Sequence, residues 1–359
     1  MTRPYRWLWP VLALAGCHSG PQRRIDAVDP AVYAACDDVE ALAAWQRAQG
    51  WLAQGKDTDA LPELVTCTAR CPDLVRAHAA YQDCAKRLGG EAMRKMLAFY
   101  RQLADRPSPV PAYLRARLAD TSYAQCNALE AIVQRDPSFA WAHLSRARVT
   151  RRQGRLQQAL DMFAAAIVND PELSEARLER AQVLVDLGRG EEAALDFRRY
   201  LELAPTDVGA VRDYIALLLY RLDRTDEALE WLDYLERMGA TDKGARMDRA
   251  AALWRARRFR EAFDGYLGVL REWPKEGRAA WNIGLILFES VPQDDAQRGR
   301  CWPVARAAFC YFLEHSESDD GHEQFERSFG VPFRLARIEE RLGPQLATSA
   351  TLDDLRWPE

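Results

Sequence analysis

Apolar and polar positions along this chain group into stretches that read as helices joined in antiparallel pairs. Alternating runs rich in Val, Ile and Thr, the mark of strands, are absent. The clearest pair is "AHLSRARVTRRQGRLQQALDMFAAAIVNDP". Earlier in the chain, "DDVEALAAWQRAQGWLAQG" pairs with "DALPELVTCTARCP", and "DLVRAHAAYQDCAKRLGG" with "EAMRKMLAFYRQLADRP". A shortened pair, "PAYLRARLADTSYAQCNALEAIVQRDP", joins these to the more regular part. Prolines punctuate the pattern: Pro137, Pro171 and Pro205 are each 34 residues apart, Pro274 lies 69 beyond, and Pro72 and Pro107 are 35 apart.

That period, with the residues inside each unit, resembles the tetratricopeptide repeat. Ala147, Ala159, Phe163 and Ala166 stand where that family places a small residue, an alanine, an aromatic and a small residue. Ala181, Ala193, Phe197 and Tyr200 repeat them, as do Ala250, Ala262, Tyr266 and Val269, and Gly154 and Gly188 mark two helix-helix turns. A degraded unit between uses Ile215, Ala228, Leu232 and Leu235, with Gly239 in place of the proline. After Pro274, Gly284 with Ala305, Phe309 and Phe312 continues the pattern, with about nine extra residues in "SVPQDDAQRGRCW". Small residues let the two helices of a hairpin approach, the aromatic fills the gap to the next hairpin, and proline ends the second helix.

The resemblance implies an all-α fold, an α-solenoid of antiparallel helical hairpins forming a TPR-like superhelix. Residues 36–136 are expected to form degenerate hairpins, 137–317 the repeat array, and 318–359 a C-terminal capping helix and tail, the helix coming from "EQFERSFGVPFRLARIEERLG". A generic alanine-rich helical bundle is the alternative.

The opening of the chain has a different character. Arg3 and Arg6 precede an apolar run from Trp7 to Gly16, far short of the roughly 20 residues a spanning helix needs. Leu14-Ala15-Gly16-Cys17 resembles the lipobox of bacterial lipoproteins. That resemblance implies a signal peptide over 1–16, lipidation of Cys17, and a flexible tether over 17–35. Membrane contact would then run through the lipid anchor only. In such lipoproteins an aspartate after the cysteine often signals inner-membrane retention. His18 occupies that place here, so the expected location is the bacterial envelope, at the outer membrane facing the periplasm.

Composition narrows the partners. The formal charge is −4, or −6 once Arg3 and Arg6 are removed, so no net basic field exists to hold nucleic acid. Of the 49 basic residues only five are lysine, and with abundant alanine this looks like the codon bias of a GC-rich genome rather than a ligand site. No nucleophile elbow, His-Glu-x-x-His pair or phosphate-cradling glycine loop occurs, so an enzyme is not expected, and no cofactor or metal. Cys67 and Cys71 share a helix face without a matching pair at finger-like spacing. His315 and His322 fall in the acidic stretch "HSESDDGHEQFE", read as a solvated linker.

Besides Cys17 the chain has Cys36, Cys67, Cys71, Cys84, Cys126, Cys301 and Cys310, an odd set for which an envelope location permits disulfides. Hairpin geometry puts Cys36 near Cys67 and Cys71, and Cys84 with Cys126 on one edge. Cys301 and Cys310 can pin the insertion only if it folds back, because nine residues of straight helix span about 13.5 Å and a disulfide needs Cα atoms within about 7 Å. Buried free thiols are the alternative.

In tetratricopeptide proteins the first helix of each hairpin lines a concave groove where peptides or partner helices lie. Carried through the repeat register, that groove would comprise Trp141, Arg148, Arg151 and Arg152, then Leu178, Glu179 and Gln182. Arg212, Ala216 and Tyr220 follow, then Met247, Ala251 and Trp254, then Trp281, Asn282 and Phe288. Trp254 and Phe288 also fit a core, and the arginines an ordinary surface. Of the lysine-asparagine-arginine constellation that family members use for a free C-terminal carboxylate, only Asn282 has a counterpart. The expected function is a membrane-anchored interaction scaffold or assembly factor for envelope proteins. The alternative is an accessory lipoprotein that captures a glycan or small molecule in an aromatic groove.

Overall fold

The computed structural model describes residues 36–103, 106–315, 326–343 and 350–358. Cys17, the segment before it, the stretch 17–35 and His322 lie outside the described residues. The described chain is helical, without strands, and its elements form eight successive hairpins. They are α1 (Val39–Ala53) with α2 (Asp57–Arg70), α3 (Val75–Leu88) with α4 (Gly90–Gln102), and the short α5 (Val110–Ala116) with α6 (Ser122–Arg135). Next come α7 (Ala140–Arg152) with α8 (Leu156–Asn169), α9 (Ser174–Asp186) with α10 (Gly190–Leu203), and α11 (Val208–Tyr220) with α12 (Thr225–Arg237). The last pairs are α13 (Lys243–Arg255) with α14 (Phe259–Glu272), and α15 (Gly277–Leu285) with α16 (Asp295–His315); α17 (Val331–Leu342) packs on α16.

Local chemistry explains the boundaries. Asp38, Thr121, Asp207 and Asp242 each accept the backbone N–H three residues on, satisfying a donor left free at a helix start. Between the helices of a hairpin one residue takes a left-handed conformation: Gly154 at φ 75° and Gly188 at 73° do so without a Cβ penalty, while Asp223 at 53° and Arg257 at 61° fill the same place one and two hairpins later.

The small and aromatic positions of the repeat make the core. Ala147, Ala159, Phe163 and Ala166 are all fully buried, and so are Ala181, Ala193, Ala228, Leu235, Ala262 and Val269. Gly284 is small for a direct reason: a Cβ there would lie 2.4 Å from Phe309 Cε1. Three apolar clusters run end to end, sharing Trp141 at one junction and Leu229 at the other, as expected of stacked hairpins that bury their faces only against neighbours.

Three features depart from the repeat pattern. The extra residues of the last hairpin do not fold back as a loop. A π-helical turn, Ile286–Ser290, extends α15, and α16 is lengthened to 21 residues with Pro303 inside it. Cys301 and Cys310 therefore sit nine residues apart on one helix, and both are buried free thiols. Cys84 and Cys126 are also unpaired, the Cys84 thiol donating to the Asp57 carbonyl at 3.2 Å. Cys36 is bonded to Cys71, with Cα atoms 5.8 Å apart, which ties the residue before α1 to the end of α2. Finally, the segment after α17 turns back to α14: Leu355 is 1% exposed, and the Trp357 ring meets Phe263 edge to face at 5.5 Å.

Candidate functional site

The first helices of consecutive hairpins are cross-linked by polar side chains one repeat apart. Arg148 on α7 donates to Glu179 on α9 at 2.6 Å, and Arg151 donates to Gln182 at 3.2 Å and faces Asp186 at 3.6 Å. Tyr220 on α11 donates to Asp248 on α13 at 2.7 Å beneath the Arg255 guanidinium, and Trp254 donates to Ser290 at 2.9 Å. Burial works against the charge of Arg148, but the Glu179 carboxylate outweighs it and holds the guanidinium more basic than usual. Burial and the bond to Asp248 push the Tyr220 phenol up, and burial raises the Asp248 carboxyl despite that bond.

Two clefts open along this ladder and share Arg151. The first, about 510 Å³, is lined by Arg117, Gln125, Ser145, Arg148, Arg151, Arg152 and Glu179. Its wall is fixed at Ser145, whose hydroxyl is 2.9 Å from the buried Tyr113 hydroxyl. The second, about 530 Å³, has Gln182, Val185 and Asp186 of α9 on one side and Asp213, Ala216 and Tyr220 of α11 on the other.

Of the residues expected in the groove, Arg148, Arg151, Arg152, Glu179, Gln182, Ala216 and Tyr220 line these clefts. The others have different surroundings. Trp141 packs against Tyr113 and lies under the Arg76 guanidinium at 5.9 Å. Arg76, from α3, holds Glu175 of α9 through two bonds of 2.8 and 2.7 Å, so the second and fifth hairpins touch. Leu178 packs on the core. Arg212 is committed to the Ala240 carbonyl and Asp242. Trp281 packs on the C-terminal core and Asn282 is half-buried on α15. Phe288 is buried against Trp302, with ring centroids 5.1 Å apart.

The repeat register missed Arg117 and Gln125, because the short α5 and the helix after it have no counterpart in the regular units. Ser145 was legible: it shares a helix face with Arg148 and Arg152 at three- and four-residue spacing. Among the described residues no group of three or more His, Cys, Asp or Glu side chains converges to hold a metal, and no helix is long and apolar enough to cross a membrane.

The tetratricopeptide repeat family matches residues 127–173 and 144–208. No curated protein matches the chain significantly. Among solved structures, it is similar to YrrB, described as a TPR protein with an unusual peptide-binding site, at 17% identity over 57% of this chain and 100% of the other, with a TM-score of 0.44. MamA from Desulfovibrio magneticus RS-1 is 18% identical over 51% of this chain and 97% of its own, with a TM-score of 0.43. PilW, described as a widely conserved type IV pilus biogenesis factor, is 17% identical over 56% and 91%, with a TM-score of 0.38. With the small and aromatic repeat positions buried, the chain is an α-solenoid whose residues 127–208 match tetratricopeptide repeats.

Proposed function

We propose that this protein is a lipid-anchored scaffold or assembly factor of the bacterial envelope, which holds a segment of another envelope protein along α7, α9 and α11. The observation that carries the reading is the pair of clefts that adjoin at Arg151, lined together by residues of four successive hairpins from α5 to α11. Helices packed about 8–10 Å apart give a groove of roughly 20–30 Å, room for about six to nine residues of extended chain. The occupant would be a peptide rather than a sugar, because of the expected groove aromatics only Tyr220 lines the clefts, and among the described residues no aromatic cluster converges there with polar side chains. The Cys36–Cys71 bond supports an oxidising compartment, Leu14-Ala15-Gly16-Cys17 supports the anchor, and His18 after it favours the outer membrane facing the periplasm.

The test is affinity capture of the native protein from its own envelope, with Cys17→Ser as control. A stoichiometric envelope protein in the eluate, together with loss of membrane fractionation for Cys17→Ser, is the expected result. Unchanged fractionation of Cys17→Ser contradicts the anchor, and a preparation free of any protein partner contradicts the scaffold.

A further inference from the structure

The two halves of the groove differ in charge. In the first cleft four arginines face one carboxylate, Glu179, and Arg148 already holds it. Arg117 donates to Gln82 at 2.8 Å and reaches Asp83 at 3.3 Å. Arg151 is shared between Gln182 and Asp186. Arg152 differs from these three. It is exposed, its guanidinium donates to the neutral amide of Gln125 at 3.3 Å, and none of the described carboxylates forms an ion pair with it. The second cleft is balanced, Arg151 and Arg221 against Asp186 and Asp213, and its lining includes the half-buried apolar side chains of Val185 on α9 and Ala216 on α11.

We infer that the groove selects an internal peptide segment of one polarity: acidic side chains at the α5–α7 end, met by Arg152, followed by apolar side chains against Val185 and Ala216. Guanidinium forks suit carboxylates, and a positive charge left without a partner at the mouth of a cleft favours an anionic arrival and disfavours a basic one. A segment bound in the opposite direction would set its acidic residues against Asp186 and Asp213 and leave Arg152 unmet. This inference rests on the groove being the binding surface.

The experiment is a selection of random nonapeptides, flanked by Gly-Ser so that no free C-terminus is offered, on the full-length chain and on its Arg152→Gln and Ala216→Trp variants, each checked for unchanged helical circular dichroism. The expected winners carry Asp or Glu at one end and apolar residues at the other. A synthetic winner should bind about tenfold more weakly when its acidic residues become Gln, and Arg152→Gln should shrink that difference to about twofold. Winners without acidic residues, or a difference that Arg152→Gln leaves intact, overturn the charge assignment while the groove stands. Enrichment no greater on the wild type than on Ala216→Trp overturns the groove and the inference together.

Discussion

Gly284 and Arg257 show how single residues are constrained, one by a neighbouring ring and the other by its own backbone conformation. A methyl group at position 284 would overlap the Phe309 ring, which is fully buried. Gly284→Ala should therefore destabilise the chain by about 1–3 kcal/mol, the usual range for overpacking a core, readable as a lowered denaturant midpoint. Arg257 poses the opposite case. It holds φ 61° in the turn where Gly154 and Gly188 sit, a conformation that costs an L-residue about 1–2 kcal/mol. Part of that gain is lost to the more flexible unfolded chain of a glycine, so Arg257→Gly should stabilise by up to about 1 kcal/mol. An unchanged or lowered midpoint would contradict it. Many arginines here act as struts between helices. Arg180 holds the buried Asp196 through two bonds of 2.6 and 2.7 Å, and Arg198 joins Tyr214 and Glu227. Arginine abundance was therefore a poor guide to ligand contacts.

At the scale of elements, α3 carries an acid-sensitive feature. His78 is fully buried between Phe99 and Tyr100, with Nε2 3.0 Å from the Pro72 carbonyl and Nδ1 without a partner. Burial drives its pKa down from 6.5 to about 4, outweighing the Pro72 carbonyl. The folded state thus keeps the imidazole neutral while the unfolded chain binds a proton below about pH 6.5. Its contribution is intact above that pH and falls progressively as the pH drops toward 4, by up to about 3 kcal/mol. Stability measured across this window should decline less for His78→Phe than for the wild type; parallel curves would contradict the assignment. The first hairpin is braced covalently, because the Cys36–Cys71 bond closes a separation of 35 residues. Such a loop constrains the unfolded chain by roughly 3–4 kcal/mol in the chain-entropy account. Cys67, one turn before Cys71, is buried, and burial, with the Asp38 carboxylate adding, pushes its thiol up to about 12, so it is a poor nucleophile for exchange with that bond.

For the whole molecule, stability passes from hairpin to hairpin through the three overlapping clusters. The C-terminal end is closed twice, by α17 on α16 and by the returning segment with Leu355 and Trp357 on α14. Leu355→Ala removes a side chain that is 1% exposed, and a loss of about 2–4 kcal/mol is expected. In a solenoid that loss stays local: hydrogen exchange should quicken in α13–α17 and remain unchanged in α7–α10. Uniform acceleration along the chain would mean that the array unfolds as one cooperative unit.

The sequence by itself determined the helical class, the pairing into hairpins and the residues that fill them. Ala147, Phe163, Ala181, Phe197 and Tyr266 recur at a fixed period because each hairpin meets its neighbour through the same small and aromatic contacts, so a local pattern encodes the packing. It also brought Arg148, Arg151, Arg152, Gln182 and Tyr220 to one surface, since a repeat carries a helix face forward from unit to unit. Only the tertiary structure decided what that register cannot carry. Arg117 and Gln125 join the groove from the short irregular hairpin, and Arg76 crosses from the second hairpin to the fifth to cover Trp141. The insertion straightens into a π turn and a longer α16. Residues 350–358 pack on α14, whose apolar surface Leu355 and Trp357 cover. These contacts join segments that no repeat relates, so their pairing is set by the path of the whole superhelix, which one unit's sequence does not contain.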